Sequence, residues 1–186
     1  MNRAELEHVI KAAAEITRDE IVVIGSQAIL GQFPDAPSTM LRSMEADLYP
    51  KNDPDRAIEI DGAIGDGSQF HETYGYYAHG VGPETPQAPV GWEARMLELQ
   101  IPPMLKGRDP ITAWFLEVHD LALAKLAAGR EKDIEFVGEA LVADLVDAGR
   151  LRRGIDLMPA ANREPTRVRL ENVLAKVGRT GSDPSN

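Results

Sequence analysis

The stretch IVVIGSQAIL, residues 21–30, followed by SMEADLYP, residues 43–50, decides the fold that we predict for this chain. The first stretch opens with a β-branched run closed by Gly25, which indicates a buried strand. A short helix is then expected to start at Ser26. In the second stretch polar and apolar residues alternate until Pro50, which is typical of a half-buried strand. The order is therefore strand, turn, helix, acidic strand.

Glu45 and Asp47 are two residues apart on the acidic strand. Side chains at such a spacing project to the same face, so both carboxylates can bind one hard cation such as Mg²⁺. Two acids on an exposed strand are also common without any function. The preceding turn favours a metal site, because a helix N-terminus attracts phosphate, Gly25 allows close backbone approach and Ser26 adds a hydroxyl. Phosphate held beside a divalent cation is the arrangement that nucleotidyl transfer uses.

The rest of the chain adds helices and two further strands. Helices are predicted over residues 3–17, 53–64, 120–128, 131–148 and 164–177. Strands are predicted over residues 93–99 and 112–118, whereas residues 65–92 show no clear pattern. Since strands come first and helices last, we expect an α+β fold, with a mixed sheet flanked by helices and a C-terminal helical part. The expected divisions are an αβ core, a helical part packed on it and a flexible tail, over residues 1–120, 121–178 and 179–186.

The composition of the 186 residues limits the function further. The chain has no cysteine, which excludes disulfides and thiolate metal sites. Without an apolar run of roughly 20 residues or a signal-peptide pattern, we expect no membrane association and a cytoplasmic location. The net charge is −10, but the segment from Arg150 onward has eight basic and four acidic residues. Its arginines could contact RNA or form a solvated helix surface; they are Arg150, Arg152, Arg153, Arg163, Arg167 and Arg169.

Two blocks together carry a family resemblance. GSQAILG…SMEADLYP resembles the glycine-serine and acid-x-acid signature of the DNA polymerase β-like nucleotidyltransferase superfamily. HDLALAKLAAGREKDIEF, residues 119–136, is similar to the Asp-Leu-x-Lys-Leu…Arg-x-Lys-Asp block of the bacterial branch related to the AbiEii abortive-infection toxins. Those proteins are the toxin halves of type IV-like toxin–antitoxin pairs. The resemblance covers about residues 20–140.

The first block implies the phosphate and metal sites. Gly25 and Ser26 would hold the triphosphate of a bound NTP, and Glu45 and Asp47 would bind Mg²⁺ or Mn²⁺. The family usually has aspartate where this chain has Glu45, and the eighteen residues between Ser26 and Glu45 exceed its usual spacing. Both acids are expected to take part in catalysis.

The second block implies the counter-charge. Lys125 and Arg130 would contact the triphosphate, and Asp133 would orient one of them or polarise the acceptor hydroxyl. Lys125 and Asp133 are accordingly expected to be catalytic. The alternatives are a solvated lysine on an amphipathic helix and an acid that is favoured by the helix dipole.

A third carboxylate normally completes the metal site of this superfamily. We expect it to be Glu98, with Glu117 as the alternative. The histidines at 71, 79 and 119 show no metal-ligand spacing.

The sequence thus predicts a Mg²⁺-dependent nucleotidyltransferase that moves a nucleoside monophosphate from an NTP to a hydroxyl acceptor. The resemblance implies the 3′ end of tRNA as acceptor, with the protein acting as a toxin and a cognate antitoxin as its partner. A small-molecule or protein acceptor is the alternative within the same class. A catalytically inactive nucleotide- or partner-binding domain of the same fold is the alternative outside it.

Overall fold

The computed structural model of the chain describes residues 1–104 and 107–180. Most of the predicted tail, residues 181–186, lies outside the described residues. The chain divides into two compact units, the first formed by Met1–Pro86 with Arg95–Glu117. The second unit comprises Gln87–Ala94 and the residues from Val118 onward. None of the helices in the described part of the chain is long and apolar enough to cross a membrane.

The first unit contains a five-stranded mixed sheet in the order β3-β2-β1-β5-β4. The strands are β1 Ile21–Ile24, β2 Glu45–Pro50, β3 Tyr77–Gly80, β4 Leu97–Ile101 and β5 Ile111–Phe115. β1 pairs antiparallel with β2 and parallel with β5, while β2 and β3 are parallel and β4 and β5 antiparallel. The central place of β1 follows from its sequence, because its four side chains are all apolar and all buried.

Four helices lie in the described part of the first unit. They are α1 Arg3–Thr17, α2 Ile29–Gln32, α3 Ala57–Ile64 and α4 Gln69–Tyr74. Single helical turns directly precede α2 and α3, at Ser26–Ala28 and Pro54–Arg56, and a further turn, Ser38–Leu41, lies between α2 and β2. α1 begins with a capping box, in which the Asn2 side chain accepts from the Glu5 amide and the Glu5 carboxylate accepts from the Asn2 amide. Its buried stripe, which includes Leu6, Val9 and Ile10, explains why the predicted bounds match.

Two predicted strands are shifted in the structure. β4 starts at Leu97, not at residue 93, because Trp92–Arg95 forms a helical turn. β5 ends at Phe115, and Val118 already begins a helix. Antiparallel pairing from Leu97 opposite Phe115 to Ile101 opposite Ile111 sets these limits.

The second unit is helical. Its helices are α5 Val118–Ala128, α6 Glu131–Val142, α7 Ala148–Gly154 and α8 Ala160–Thr180, with a single helical turn at Ile155–Leu157. The predicted helix over 131–148 is wrong in its second part, because α6 ends before Asp144, which has a positive φ of 54°. α7 then begins afresh with Asp147, whose side chain accepts from the Arg150 amide.

α8 is longer than predicted. It begins at Ala160, not at residue 164, and Pro165 lies within its second turn. Proline removes one backbone donor there, but its fixed φ is compatible with a helix. The α+β fold class, with a mixed sheet, flanking helices and a helical C-terminal part, is confirmed.

Candidate active site

Gly25 forms the turn between β1 and the helical turn Ser26–Ala28. Its backbone angles, φ 66° and ψ −166°, lie in a region that is nearly restricted to glycine. A Cβ atom at this position would overlap Oδ2 of Asp47 and lie 2.9 Å from its Cγ. The turn therefore packs directly against the carboxylate of Asp47, and a side chain at residue 25 would prevent that contact.

Glu45 and Asp47 lie on β2, and β3 supplies their neighbours. Glu45 is opposite Tyr77 and Asp47 is opposite His79, whereas Ala46 between the acids is fully buried. Residues that pair directly project to the same face of a sheet. The parallel pairing of β2 with β3 thus brings two carboxylates, a phenol and an imidazole together on one face.

Distances within this group fit the ligand set of a single divalent cation. Nδ1 of His79 lies 3.0 Å from Oδ1 of Asp47 and 3.8 Å from Oε1 of Glu45. One ligand atom from each of the three residues lies within 4.8 Å of the others. Two ligands at about 2.1 Å from one small cation are separated by about 3.0 Å when adjacent and about 4.2 Å when opposite. The two distances from His79 fall within this range, so the donor set fits a divalent ion.

Electrostatics at the acid pair also favour a cation. Burial raises the pKa of Asp47, the charge of Glu45 raises it further, and the hydrogen bond with His79 acts in the opposite direction. Burial and a hydrogen bond to Glu45 raise the pKa of Tyr77 to about 12. Tyr77 is therefore a neutral donor at pH 7, and its hydroxyl donates to Oε2 of Glu45 over 3.1 Å. A cation bound between the two carboxylates would relieve their mutual repulsion.

The helical turn is tied to the start of the acidic strand through Gln27. The Gln27 side chain is buried, and its Nε2 donates to the backbone carbonyl of Ser43 over 3.0 Å. The Ser43 hydroxyl in turn accepts from the amide of Glu45 over 3.1 Å. Oε1 of Gln27 is buried and has no hydrogen-bond partner within the described part of the chain. These two hydrogen bonds help to fix the position of Glu45 relative to the Gly25–Ser26 turn.

Glu98 is not brought to the acid pair. It lies on β4 opposite Trp114, and its carboxylate accepts from Nε2 of Gln100 over 3.0 Å. β4 is three strand positions from β2, which corresponds to about 14 Å at the usual strand spacing. Glu117 follows β5, two positions from β2. The residue next to the acids on the adjacent strand is His79, where a third carboxylate had been expected.

Lys125, Arg130 and Asp133 form an ionic cluster within the second unit. Nζ of Lys125 lies 3.1 Å from Oδ1 of Asp133, and Nε of Arg130 lies 2.6 Å from Oδ2 of the same carboxylate. The Lys125 ammonium also lies 4.6 Å from the ring centroid of Phe136. α5 and α6 are separate helices because the backbone turns at Gly129, which has a φ of 68°. Asp133 thus contacts both cations that the resemblance implies it could orient.

The Asp133 carboxylate is ionised in this cluster despite its burial. Its side chain has no exposed surface, and that of Lys125 is only 9% exposed. Burial opposes ionisation of Asp133, but hydrogen bonds from Arg130 and the charge of Lys125 outweigh it and hold the pKa below its usual range. The carboxylate in turn supplies a negative charge beside the buried ammonium of Lys125. The pair also holds α6 against α5.

A comparison with protein families decides the classification. Residues 4–175 match the family described as "Nucleotidyltransferase of unknown function (DUF6036)". The chain belongs to this family. Neither the curated proteins nor the solved structures contain a match. The family description supports the predicted nucleotidyltransferase superfamily, whereas the AbiEii-related branch stays a prediction.

The family match includes the arginine-rich segment, and several of its guanidinium groups have intramolecular partners. Arg152 donates twice to the carboxylate of Glu171, over 2.8 and 2.9 Å. Arg167 donates to Glu164 over 2.6 Å, and Arg169 donates to the last carbonyls of α5. An RNA phosphate at these positions would have to replace existing hydrogen bonds. The positive charge of this segment therefore overestimates how strongly it would bind RNA.

Tyr77 and His79 of this DUF6036 protein are not among the site residues that the sequence predicts. The available signal was a repeated pattern of polar residue, alanine and polar residue, EAD at 45–47 and YAH at 77–79. Both alanines are fully buried, so each pattern indicates a strand with one polar face. The partnership between the two strands could not be inferred, because α3 and α4 separate them in the sequence.

Proposed function

We propose that this protein is a metal-dependent nucleotidyltransferase that moves a nucleoside monophosphate from an NTP to a hydroxyl acceptor. The observation that carries the proposal is the packing of Gly25 against the Asp47 carboxylate. It joins a glycine-serine turn, suited to phosphate, to a pair of acids suited to a divalent cation. Membership of a family described as nucleotidyltransferases supports the same reaction class.

In the proposed reaction Glu45 and Asp47 would hold a divalent cation such as Mg²⁺ or Mn²⁺. When bound, the cation supplies charge neutralisation at the phosphates. The backbone of Gly25 and the Ser26 hydroxyl bind the triphosphate and keep it in line with the acceptor. The acceptor oxygen bonds to the α-phosphorus while the bond from that phosphorus to the bridging oxygen breaks. Pyrophosphate leaves, and the hydroxyl proton passes to a carboxylate or to water.

Lys125, Arg130 and Asp133 supply the counter-charge in this proposal. Lys125 and Arg130 neutralise oxygens of the triphosphate, as the resemblance implies. Asp133 orients the Lys125 ammonium through their 3.1 Å contact. Asp133 is then a positioning residue for the lysine.

The acceptor that we propose first is the 3′ end of tRNA, with a toxin role for the protein and a cognate antitoxin as its inhibitor. The resemblance to the AbiEii-related branch supports this choice. The intramolecular pairing of Arg152, Arg167 and Arg169 leaves a small-molecule or protein hydroxyl as the alternative.

Transfer of label from each of the four α-³²P-labelled NTPs tests the reaction. The full chain is incubated with Mg²⁺ or Mn²⁺ and, in separate arms, with bulk tRNA, with cell protein and with small hydroxyl metabolites. We expect Asp47→Asn to lower transfer by roughly 100-fold or more, because an uncharged amide cannot replace a carboxylate ligand. Glu72→Gln, an exposed acid on α4, is the matched control and should retain transfer.

The arm that becomes labelled identifies the acceptor class. Labelled tRNA, together with growth arrest on expression that Asp47→Asn abolishes, would support the toxin role. If no arm becomes labelled and the protein shows no metal-dependent NTP binding, the proposed enzymatic activity is refuted. The remaining interpretation is then a catalytically inactive domain of the same fold.

A further inference from the structure

We propose that His79 is a direct metal ligand and that the site formed by Glu45, Asp47 and His79 selects a first-row transition ion, such as Mn²⁺ or Co²⁺, over Mg²⁺. The inference deepens the proposed function and rests on it in one respect, since nucleotidyl transfer requires a divalent cation. It concerns the identity of that cation and of its third ligand.

The backbone aims His79 at the acids. β3 is parallel to β2 in a register that puts His79 opposite Asp47, and the Val81 amide donates to the Leu48 carbonyl just beyond this pair. Nδ1 is the ring atom that faces both carboxylates, at 3.0 and 3.8 Å. A shift of register by one residue would turn His79 to the opposite face, so the pairing specifies the position of the imidazole.

The remaining contacts hold the two carboxylates in place. Tyr77, two residues before His79, donates to one oxygen of Glu45, which leaves Oε1 as the oxygen that faces the imidazole. Gly25 packs against Asp47 from the other side. Hydrogen bonds of this kind orient metal ligands and typically change metal affinity by 10- to 100-fold. The three ligand atoms are thus restrained from separate segments of the chain.

The donor set determines the preference. Mg²⁺ is a hard cation that favours an all-oxygen environment and retains its water molecules, whereas imidazole nitrogen binds transition ions better. A site with three carboxylates suits Mg²⁺, but the exchange of one carboxylate for an imidazole removes a negative charge and adds a softer donor. His79 is half-exposed, so solvent and substrate oxygens can complete the coordination.

Pulsed electron paramagnetic resonance of bound Mn²⁺ tests direct ligation without any reaction. We expect the wild-type protein to show modulation from a directly coordinated ¹⁴N nucleus and His79→Gln to lack it while still binding Mn²⁺ more weakly through its carboxylates. Glu98→Gln should retain the signal. Absence of ¹⁴N coupling in wild-type protein that binds Mn²⁺ would overturn the proposal and leave His79 as a hydrogen-bond partner of Asp47.

Metal selectivity is measured by calorimetric titration of the same proteins with Mn²⁺, Co²⁺ and Mg²⁺. His79→Asp creates a three-carboxylate site, and we expect it to lower the ratio of Mn²⁺ to Mg²⁺ affinity by about tenfold relative to wild type. Circular dichroism and urea unfolding establish that each variant is folded. An unchanged ratio in folded His79→Asp would contradict the selectivity.

The two proposals fail separately in these experiments. One outcome is label transfer with Mg²⁺ while ¹⁴N coupling is absent and the affinity ratio is unchanged in His79→Asp. This combination would support the proposed nucleotidyltransferase activity and refute the role of His79 as a metal ligand. Nitrogen coupling and Mn²⁺ preference without transfer to any acceptor would support the metal site and refute the enzymatic function.

Discussion

Replacement of Gly25 by alanine tests whether the turn and the acid pair form one site. The backbone angles of Gly25 should cost an alanine about 1–3 kcal/mol in the free energy of unfolding. The new Cβ would lie 2.9 Å from Cγ of Asp47, so the carboxyl group must move by at least about 0.6 Å to reach ordinary contact distance. Ligands must usually stay within about 0.5 Å of their working positions, so we expect Mn²⁺ affinity to fall at least about tenfold.

Gly75→Ala is the matched control for Gly25→Ala. Gly75 also has a positive φ, 78°, but a Cβ there would meet no atom within 4 Å. It should lose about 1 kcal/mol of stability and keep its metal affinity. Urea unfolding gives the stability of each variant, and calorimetric titration with Mn²⁺ gives the affinity. If Gly25→Ala bound Mn²⁺ as tightly as Gly75→Ala, the idea that residue 25 must lack a side chain to leave room for Asp47 would be wrong.

Two further substitutions test buried polar contacts, one in each unit. Asp133→Asn should lower the free energy of unfolding at pH 7 by about 3 kcal/mol, because Lys125 would stay buried without its ion pair. The stabilisation that the Asp133 carboxylate provides is complete above its unfolded-state pKa and is lost as the pH falls through its lower folded-state pKa. The urea midpoints of variant and wild type should therefore converge in strong acid. A difference that stays constant with pH would contradict this. Gln27→Leu removes the bond to Ser43 and should cost about 1 kcal/mol. It should also lower NMP transfer, measured as kcat, whereas full activity would argue against a role for Gln27 in fixing Glu45.

Local patterns were sufficient wherever an element is specified by its own residues. The predicted helix over 3–17 agrees with α1 because a capping box, an apolar stripe and helix-forming residues all act within that segment. The strand from Ile21 was equally clear, since four consecutive β-branched residues leave no polar face. The acid pair on β2 and its common face followed from simple alternation.

Features that depend on distant residues were not accessible in the same way. β3 has only four residues, and its identity depends on pairing with β2, in which each paired residue lies 32 positions earlier in the sequence. The sequence therefore predicts a third ligand among the later acids, at Glu98, whereas the residue opposite Asp47 on the neighbouring strand is His79. The split of the 131–148 helix is likewise accompanied by a tertiary contact, since Nε2 of His119 accepts a hydrogen bond from the backbone amide of Asp147 over 2.9 Å.

The position of β3 at the edge of the sheet has a consequence for motion. As an edge strand, β3 is hydrogen-bonded to a neighbouring strand on one side only. Strands of this kind open locally at a lower free energy than central strands. Opening of β3 would withdraw Tyr77 and His79 from the acids while Gly25 and Asp47 remained in contact where β1 pairs with β2. Occupancy of the site would therefore be linked to closure of this edge, and the affinity for a cation or nucleotide would include the equilibrium between the frayed and the paired strand.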